Sequence, residues 1–395
     1  MKKILIVIRD MKIGGAQKSL LSFLQCLTSS QMSREVELHL MVIDPRGPFL
    51  SQIPEGIKLV EAPKELFWLS VHANIKLRRR LSLRCIKGQL RWLRQKQKKS
   101  TQHIAHQKWN CWKSLVPESK VKYDVAISYI DGCPNYYVMD KVCADKKVLW
   151  VHNDYHELGY DPAFDRPFFE GCDAIVTISD RCRQSLATAF PQMAEKVHIL
   201  ENITVSDTVL KKSTEGQCPE FAEAKGLKLL TVGRLHPQKG IDLAIDAAKL
   251  LKEAEIPFLW LVAGEGDQRE ELQKRIDDNS LSQYFQLIGS RDNPYTYMAQ
   301  CDMIVQSSRW EGKSIVLDEA KLLCKPIVAT NYTTVGDSVI HGKTGWIVQM
   351  GARELCEGIL HLYHNPQLCR QMTENLQNLP KGNVKELEQY VKIMF

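Results

Sequence analysis

Short apolar runs alternate with amphipathic stretches from one end of the chain to the other. Apolar runs of about four to eight residues bounded by turn residues read as buried strands, and apolar positions three and four apart read as helices. The N-terminal strands are "KKILIVI" (2–8), "VELHLMVI" (36–43), "YDVAISY" (123–129), "KKVLWVH" (146–152) and "DAIVTIS" (173–179). Across "RDMKIGGAQ" the first of these leads into an amphipathic "KSLLSFLQCL". A strand, a glycine turn at Gly14–Gly15 and a helix are what open a doubly wound sheet.

A polar stretch, "ENITVSD", marks a linker near residues 201 to 208. The alternation then restarts with "LKLLTVG" (227–233), "FLWLVAG" (258–264), "YFQLIG" (284–289), "DMIVQSS" (302–308), "PIVATN" (326–331) and "GWIV" (345–348). At 395 residues the chain exceeds the size at which one core usually stops growing. The expectation is an α/β protein of two Rossmann-like domains, residues 1–203 and 204–375, facing across a cleft. Residues 376–395 end in a helix, "NVKELEQYVKIMF", expected to pack back on the first domain.

Composition narrows the class. The chain is 44% hydrophobic and 25% charged, ordinary for a globular protein. No apolar run reaches the roughly 18 residues of a membrane span, and "KILIVI" is too short for a signal peptide. Twelve cysteines without a Cys-x-x-Cys pair argue for reduced thiols and a cytoplasmic location.

The net charge of +7 has a local origin. Residues 66–117 hold 13 Lys and Arg and no acidic residue, which leaves 40 basic against 46 acidic residues elsewhere. Within this insert, residues 74–115 place Ile75, Leu81, Ile86, Leu90 and Leu93 on one side of a helix, with Arg78, Arg84, Arg91 and Lys98 around the rest. Trp68, Trp92, Trp109 and Trp112 lie close by. A basic, amphipathic, Trp-rich segment has the profile of a helix in an anionic membrane interface. The expectation is peripheral docking on the inner face of the plasma membrane. The bland alternative is a solvated helical insert, and nothing else in the chain supports nucleic-acid binding.

Candidate chemistry gathers after strands. In "TVGRLHPQKGID", Arg234 and Lys239 follow a strand and a glycine, and a guanidinium fork with a mobile ammonium suits a diphosphate. In "SSRWEGKSIVLDEA" a strand, the Gly312–Ser314 turn and a helix starting near Ile315 offer backbone N–H groups to an anion. Glu319, about one and a half turns into that helix, could accept hydrogen bonds from ribose hydroxyls, and Glu311 in the turn would sit nearer a transferred group. The plain alternative for either carboxylate is one settled near a helix start. There is no P-loop, "IGGAQ" fails the G-x-G-x-x-G pattern, and no Asp-x-Asp offers itself to a divalent ion. The expectation is no metal and no cofactor, with a leaving diphosphate neutralised by Arg234, Lys239 and backbone N–H groups.

Together, "VGRLHPQKGID" and "SSRWEGKSIVLDEA" resemble the donor-site signature of family 4 glycosyltransferases, which have the two-Rossmann GT-B fold. "IGSRDNPYTYMAQCDMIVQSS" and "KPIVATNYTTVGDSVIHGKTGWIV" are similar to the family's neighbouring segments, so the match runs over residues 227–348. In the N-terminal part it thins to "IGGAQKSL" and "WVHND". The resemblance implies a metal-independent, retaining transferase that takes a nucleotide-activated hexose or N-acetylhexosamine, usually UDP-linked. The acceptor it implies is a saccharide or a lipid-linked sugar in surface-polysaccharide assembly. By the same resemblance Arg234 and Lys239 match the diphosphate pair, Glu319 the ribose carboxylate and Glu311 the sugar-contacting carboxylate. The backbone of Lys313, Ser314 and Ile315 matches the phosphate cradle. His152, at the end of "KKVLWV", matches a histidine near the transferred hexose, and Asp154 is a weaker candidate. Departures are the missing linker proline, Gln17 where an acidic residue is common, and Lys313–Ser314 where Phe–Gly is common. Two other classes remain open on residues alone. One is an epimerase of the same fold, for which no further carboxylate cluster presents itself. The other is a non-catalytic nucleotide-sugar binder.

Overall fold

Runs such as "FLWLVA" and "MIVQ" are apolar without alternation because they are buried on both faces, the mark of parallel strands covered by helices. The computed structural model describes residues 1–70, 83–96 and 103–394. They form two units: Met1–Asn202 together with Lys385–Phe395, and Ile203–Val384.

The first unit holds a seven-stranded sheet built from β1 (Lys2–Asp10), β2 (Val36–Asp44), β3 (Lys58–Val60), β4 (Lys122–Ser128), β5 (Cys143–Trp150), β6 (Ala174–Thr177) and β7 (Val197–Ile199). Its order is β3-β2-β1-β4-β5-β6-β7, and every pairing is parallel. The order reverses between β1 and β4, which puts the ligand-binding crevice of such a sheet outside their carboxyl ends. The C-terminal helix, Leu387–Met394, returns to this unit. Its Tyr390 ring lies 4.8 Å from that of Phe23 in α1 (Gly15–Ser29), and its hydroxyl donates to the Glu201 carbonyl at 3.1 Å.

The second unit holds a six-stranded parallel sheet of β8 (Leu227–Val232), β9 (Phe258–Ala263), β10 (Phe285–Gly289), β11 (Met303–Gln306), β12 (Ile327–Thr330) and β13 (Trp346–Val348). Its order, β10-β9-β8-β11-β12-β13, reverses between β8 and β11. The turns Gly233–Lys239 and Ser307–Ser314 leave the carboxyl ends of those two strands side by side.

The basic insert departs from its expected form. Part of it, including Ile75, Arg78–Arg80, Leu81 and Lys98, lies outside the described residues. Helices α2 (Lys64–Ser70), α3 (Leu83–Lys96) and α4 (Ile104–Trp112) pack on one another beside the first sheet. Trp92, Trp109 and Trp112 are core residues, and Trp68 packs half-buried against the same core. Trp109 is held there by its indole N–H, which donates to Asp140 at 2.9 Å. These three tryptophans face the protein interior, so they are not the interfacial anchors that the sequence pattern suggests. No helix among the described residues is long and apolar enough to cross a membrane.

Candidate active site

At the β8–β11 edge the two turns are stitched together. Gly240 sits at φ +60° with its α-carbon so close to the next strand that a β-carbon would lie 2.1 Å from the Ser307 carbonyl oxygen. That close approach lets the Ser307 hydroxyl donate to the Lys239 carbonyl at 2.9 Å. Arg309 N–H bonds the Gln238 carbonyl at 2.7 Å, and its guanidinium forks onto Asp242 at 2.9 and 2.6 Å. Arg234 is exposed and reaches Gln238 Oε1 at 3.2 Å, while Gln238 Nε2 donates to the Trp310 carbonyl at 3.0 Å. The His236 ring accepts from the Gln238 N–H at 3.2 Å, and burial lowers its pKa, which keeps it neutral in that role.

The two carboxylates of "SSRWEGKSIVLDEA" have different surroundings. Glu311 is buried, and its Oε1 accepts from Lys239 Nζ at 2.5 Å and from the Ser308 hydroxyl at 2.6 Å. Gln306 Nε2 approaches the same oxygen at 3.4 Å and donates to the Tyr332 hydroxyl at 3.1 Å. Gln306 Oε1 in turn accepts from the Ser314 hydroxyl at 2.8 Å. One buried amide therefore ties the end of β11, the glycine turn and the loop after β12. Tyr332 serves as a neutral partner, since burial and the Glu311 charge raise its pKa well above the usual phenol range. Glu319 is only 1% exposed, and the Tyr295 hydroxyl donates to its Oε1 at 3.0 Å. Burial, with the Glu319 charge, pushes the Tyr295 phenol far up, so it too is a permanent donor.

Ser314 is the N-cap residue of the helix Ile315–Leu322, and Lys313 is half-buried in the turn before it. First-turn N–H groups of that helix point back along its axis. Arg234, Lys239, Glu311, Lys313, Ser314, Ile315 and Glu319 thus all lie on the β8–β11 edge or the helix that follows it.

Gly14, Gly15 and His152 belong to the first unit. Gly14 is the N-cap position of α1, and Gly15 begins the helix. Just inside, buried Gln17 donates to Asp10 Oδ1 at 2.9 Å, which accounts for an amide at a position where an acid would face that carboxylate. His152 follows β5 and is buried. Its Nε2–H donates to the Tyr129 carbonyl at 3.0 Å, and burial lowers its pKa to about 4. A neutral ring with that proton placement leaves Nδ1 as its acceptor nitrogen. Asp154 accepts from Ser185 at 2.5 Å and from the His156 N–H at 3.0 Å, so it secures the local turn.

Gln306, Ser308, Gln238 and Tyr295 escape the sequence reading. Polar residues closing the apolar strand "MIVQSS" are a usable signal for the first two, whereas nothing local marks Tyr295. Gly264 and Gly266 also escape it: β-carbons there would lie 1.8 Å from the Gly233 carbonyl oxygen and 2.2 Å from that of Leu235. Those contacts hold the turn that carries Arg234 against the loop after β9.

Residues 219–379 match the sequence profile of the family described as "Glycosyl transferases group 1". The similarity to the group 1 glycosyl transferases covers this stretch, less than half of the chain. Among curated proteins the chain is similar to the alpha-D-kanosaminyltransferase of Streptomyces kanamyceticus, 28% identical over 214 residues, covering 52% of this chain and 55% of the relative. Another is the N-acetylgalactosamine-N,N'-diacetylbacillosaminyl-diphospho-undecaprenol 4-alpha-N-acetylgalactosaminyltransferase of Campylobacter jejuni. It is 27% identical over 190 residues, covering 48% of this chain and 50% of the relative. The chain spans about half the length of these curated relatives. In fold it is similar to Anabaena HepE, solved with UDP and glucose, at a TM-score of 0.71 and 16% identity over 99% of this chain and 98% of HepE. The two parallel-sheet units are therefore those of the GT-B fold.

Proposed function

We propose that the chain is a retaining, metal-independent glycosyltransferase. It moves a hexose or N-acetylhexosamine from a nucleotide-sugar, UDP-linked, to a saccharide or lipid-linked acceptor in surface-polysaccharide assembly. The observation that carries this reading is the Lys239–Glu311 contact at the β8–β11 edge, beside the N-terminus of the helix that carries Glu319. A cation and a carboxylate fixed side by side suit a ligand that presents phosphate and sugar hydroxyls next to each other. HepE binds UDP-glucose, and the Campylobacter relative is named for a diphospho-undecaprenol acceptor, which supports both halves of the assignment.

In this reading the sugar C1–O bond to the diphosphate breaks, a C1–O bond to the acceptor hydroxyl oxygen forms on the same face, and the hydroxyl proton passes to the departing diphosphate oxygen. Arg234, Lys239 and the first-turn N–H groups around Lys313, Ser314 and Ile315 take up the charge that grows on the leaving diphosphate. Their aim is set in advance by the stitched turns, so little reorganisation is needed during the reaction. Glu311 accepts from sugar hydroxyls, and Glu319 accepts from ribose. His152 supplies a neutral ring nitrogen to the transferred sugar, with Gly14–Gly15 opening the first unit's crevice beside it. An acceptor held on a bilayer explains a basic surface, and the enzyme works peripherally at the cytoplasmic face of the membrane.

The test is acceptor-dependent UDP release from UDP-sugars, run with and without EDTA. Release only with acceptor, and undiminished by EDTA, supports the reading. Turnover without acceptor indicates an epimerase, and ligand binding without turnover indicates a binder. Strict dependence on Mn²⁺ or Mg²⁺ overturns the metal-independent mechanism.

A further inference from the structure

Helix α3 presents three faces. Its inner face is Cys85, Gly88 and Trp92, all buried. A β-carbon at Gly88 would lie 2.6 Å from the Trp112 ring, so the glycine is what lets α3 seat closely on α4. Arg91 fastens one flank by donating to the Ser114 hydroxyl at 2.9 Å, and the Lys108 ammonium lies 5.8 Å from the Trp92 ring. The helix is thus a fixed part of the body.

Its outer surface divides in two. Leu83, Ile86, Leu90 and Leu93 are 86%, 41%, 50% and 47% exposed. At 100° per residue they share an arc of about 80°. Arg84, Lys87 and Arg94 are exposed on the adjoining arc of about the same width. Four aliphatic side chains with a row of cations along one border make the cross-section of a helix lying in a lipid interface. The stems of the cations follow the apolar layer while their heads stay at phosphate level.

We propose that this outer face of α3 docks the protein on an anionic bilayer. The charge pattern selects that occupant. Residues 66–117 carry no acidic side chain, so a second copy docked symmetrically through the same helix would bring a like-charged surface against this one. A nucleic acid would neutralise the cations and leave four aliphatic side chains unrewarded. An anionic bilayer satisfies both arcs together. The orientation differs from one led by tryptophan, because Trp92, Trp109 and Trp112 hold the helix from the other side. The placement rests on the glycosyltransferase reading only for its purpose, access to a membrane-borne acceptor. Vesicle binding is measured with no sugar donor, so the two readings fail separately.

The experiment is flotation of the full chain with vesicles of phosphatidylglycerol and phosphatidylcholine, and with phosphatidylcholine alone. The wild type is expected to float with the anionic vesicles at low salt and to be released as salt screens the charges. Leu90→Gln combined with Leu93→Gln, and separately Arg84→Glu with Lys87→Glu and Arg94→Glu, should each cut the bound fraction about tenfold or more. All five side chains point to solvent, so the melting temperature should stay at the wild-type value, which separates lost docking from lost folding. Wild type left behind by anionic vesicles at low salt overturns the proposal, as does wild-type flotation of the Leu90/Leu93 variant. A concentration-dependent dimer abolished by the leucine changes would assign the face to a second copy instead.

Discussion

The Lys239 ammonium lies 2.5 Å from Glu311 Oε1, so the cation proposed to bind phosphate and the carboxylate proposed to read the sugar are one unit before any ligand arrives. Both side chains are largely enclosed, at 16% and 8% exposure, and neither can be removed without leaving the other's charge poorly solvated. Their roles are therefore coupled.

Lys239→Ala is expected to lower turnover by about 10²-fold or more, since it removes a cation from the developing diphosphate charge. It should also destabilise the fold by about 1–3 kcal/mol, because Glu311 then keeps only the Ser308 and Gln306 donors. Steady-state kinetics with urea unfolding checks both effects. Wild-type turnover in this variant rules out a diphosphate role for Lys239.

Glu311→Gln and Glu319→Ala separate the two carboxylates. Glutamine at 311 keeps the shape, frees Lys239 from its counter-charge, and should leave UDP affinity equal to or above wild type while transfer from the sugar donor falls. Alanine at 319 removes the partner of the Tyr295 hydroxyl and should weaken free UDP as much as the donor, because ribose is common to both. Calorimetric titration with UDP decides. Equal losses of UDP in the two variants contradict this division.

Gln306→Leu tests the amide that ties three loops. Leucine is close in volume and leaves the Ser314 hydroxyl without its 2.8 Å acceptor and Tyr332 without its 3.1 Å donor. The expected cost is about 1–3 kcal/mol in stability. UDP affinity should fall as well, because the turn before the Glu319 helix loses its tether. A variant that binds UDP like wild type shows that the turn holds its shape unaided.

The sheets were legible because parallel strands buried on both faces leave unbroken apolar runs, as in "FLWLVA" and "MIVQ". Strand β3 (Lys58–Val60) was not, being three residues long and mostly exposed. The turns at the β8–β11 edge could be read because Gly, Lys and Ser follow strands directly. Their supports could not: Tyr295 meets Glu319 across 24 positions, a distance that no local pattern encodes. The insert shows the limit most clearly. Trp109 looks like an interface anchor until Asp140, 31 positions on, satisfies its indole N–H inside the core.

The last expectation concerns pH. His152 is buried with its pKa lowered from 6.5 to about 4, burial being the larger cause and the bond to the Tyr129 carbonyl a smaller opposing one. Between those values the unfolded chain binds a proton that the folded chain refuses, so stability rises with pH across the window. The contribution is complete above pH 6.5 and is lost progressively as pH falls toward 4, on the order of 3 kcal/mol in all. His103, His198 and His236 are shifted downward by burial as well, so the whole-protein slope is shared. His152→Gln isolates one part of it, since a glutamine amide can still donate to the Tyr129 carbonyl. Urea midpoints at pH 7 and pH 4.5 should draw closer together in the variant than in the wild type. If the two proteins lose stability in parallel on acidification, His152 titrates normally in the folded chain, and the neutral ring assigned to the transferred sugar goes with it.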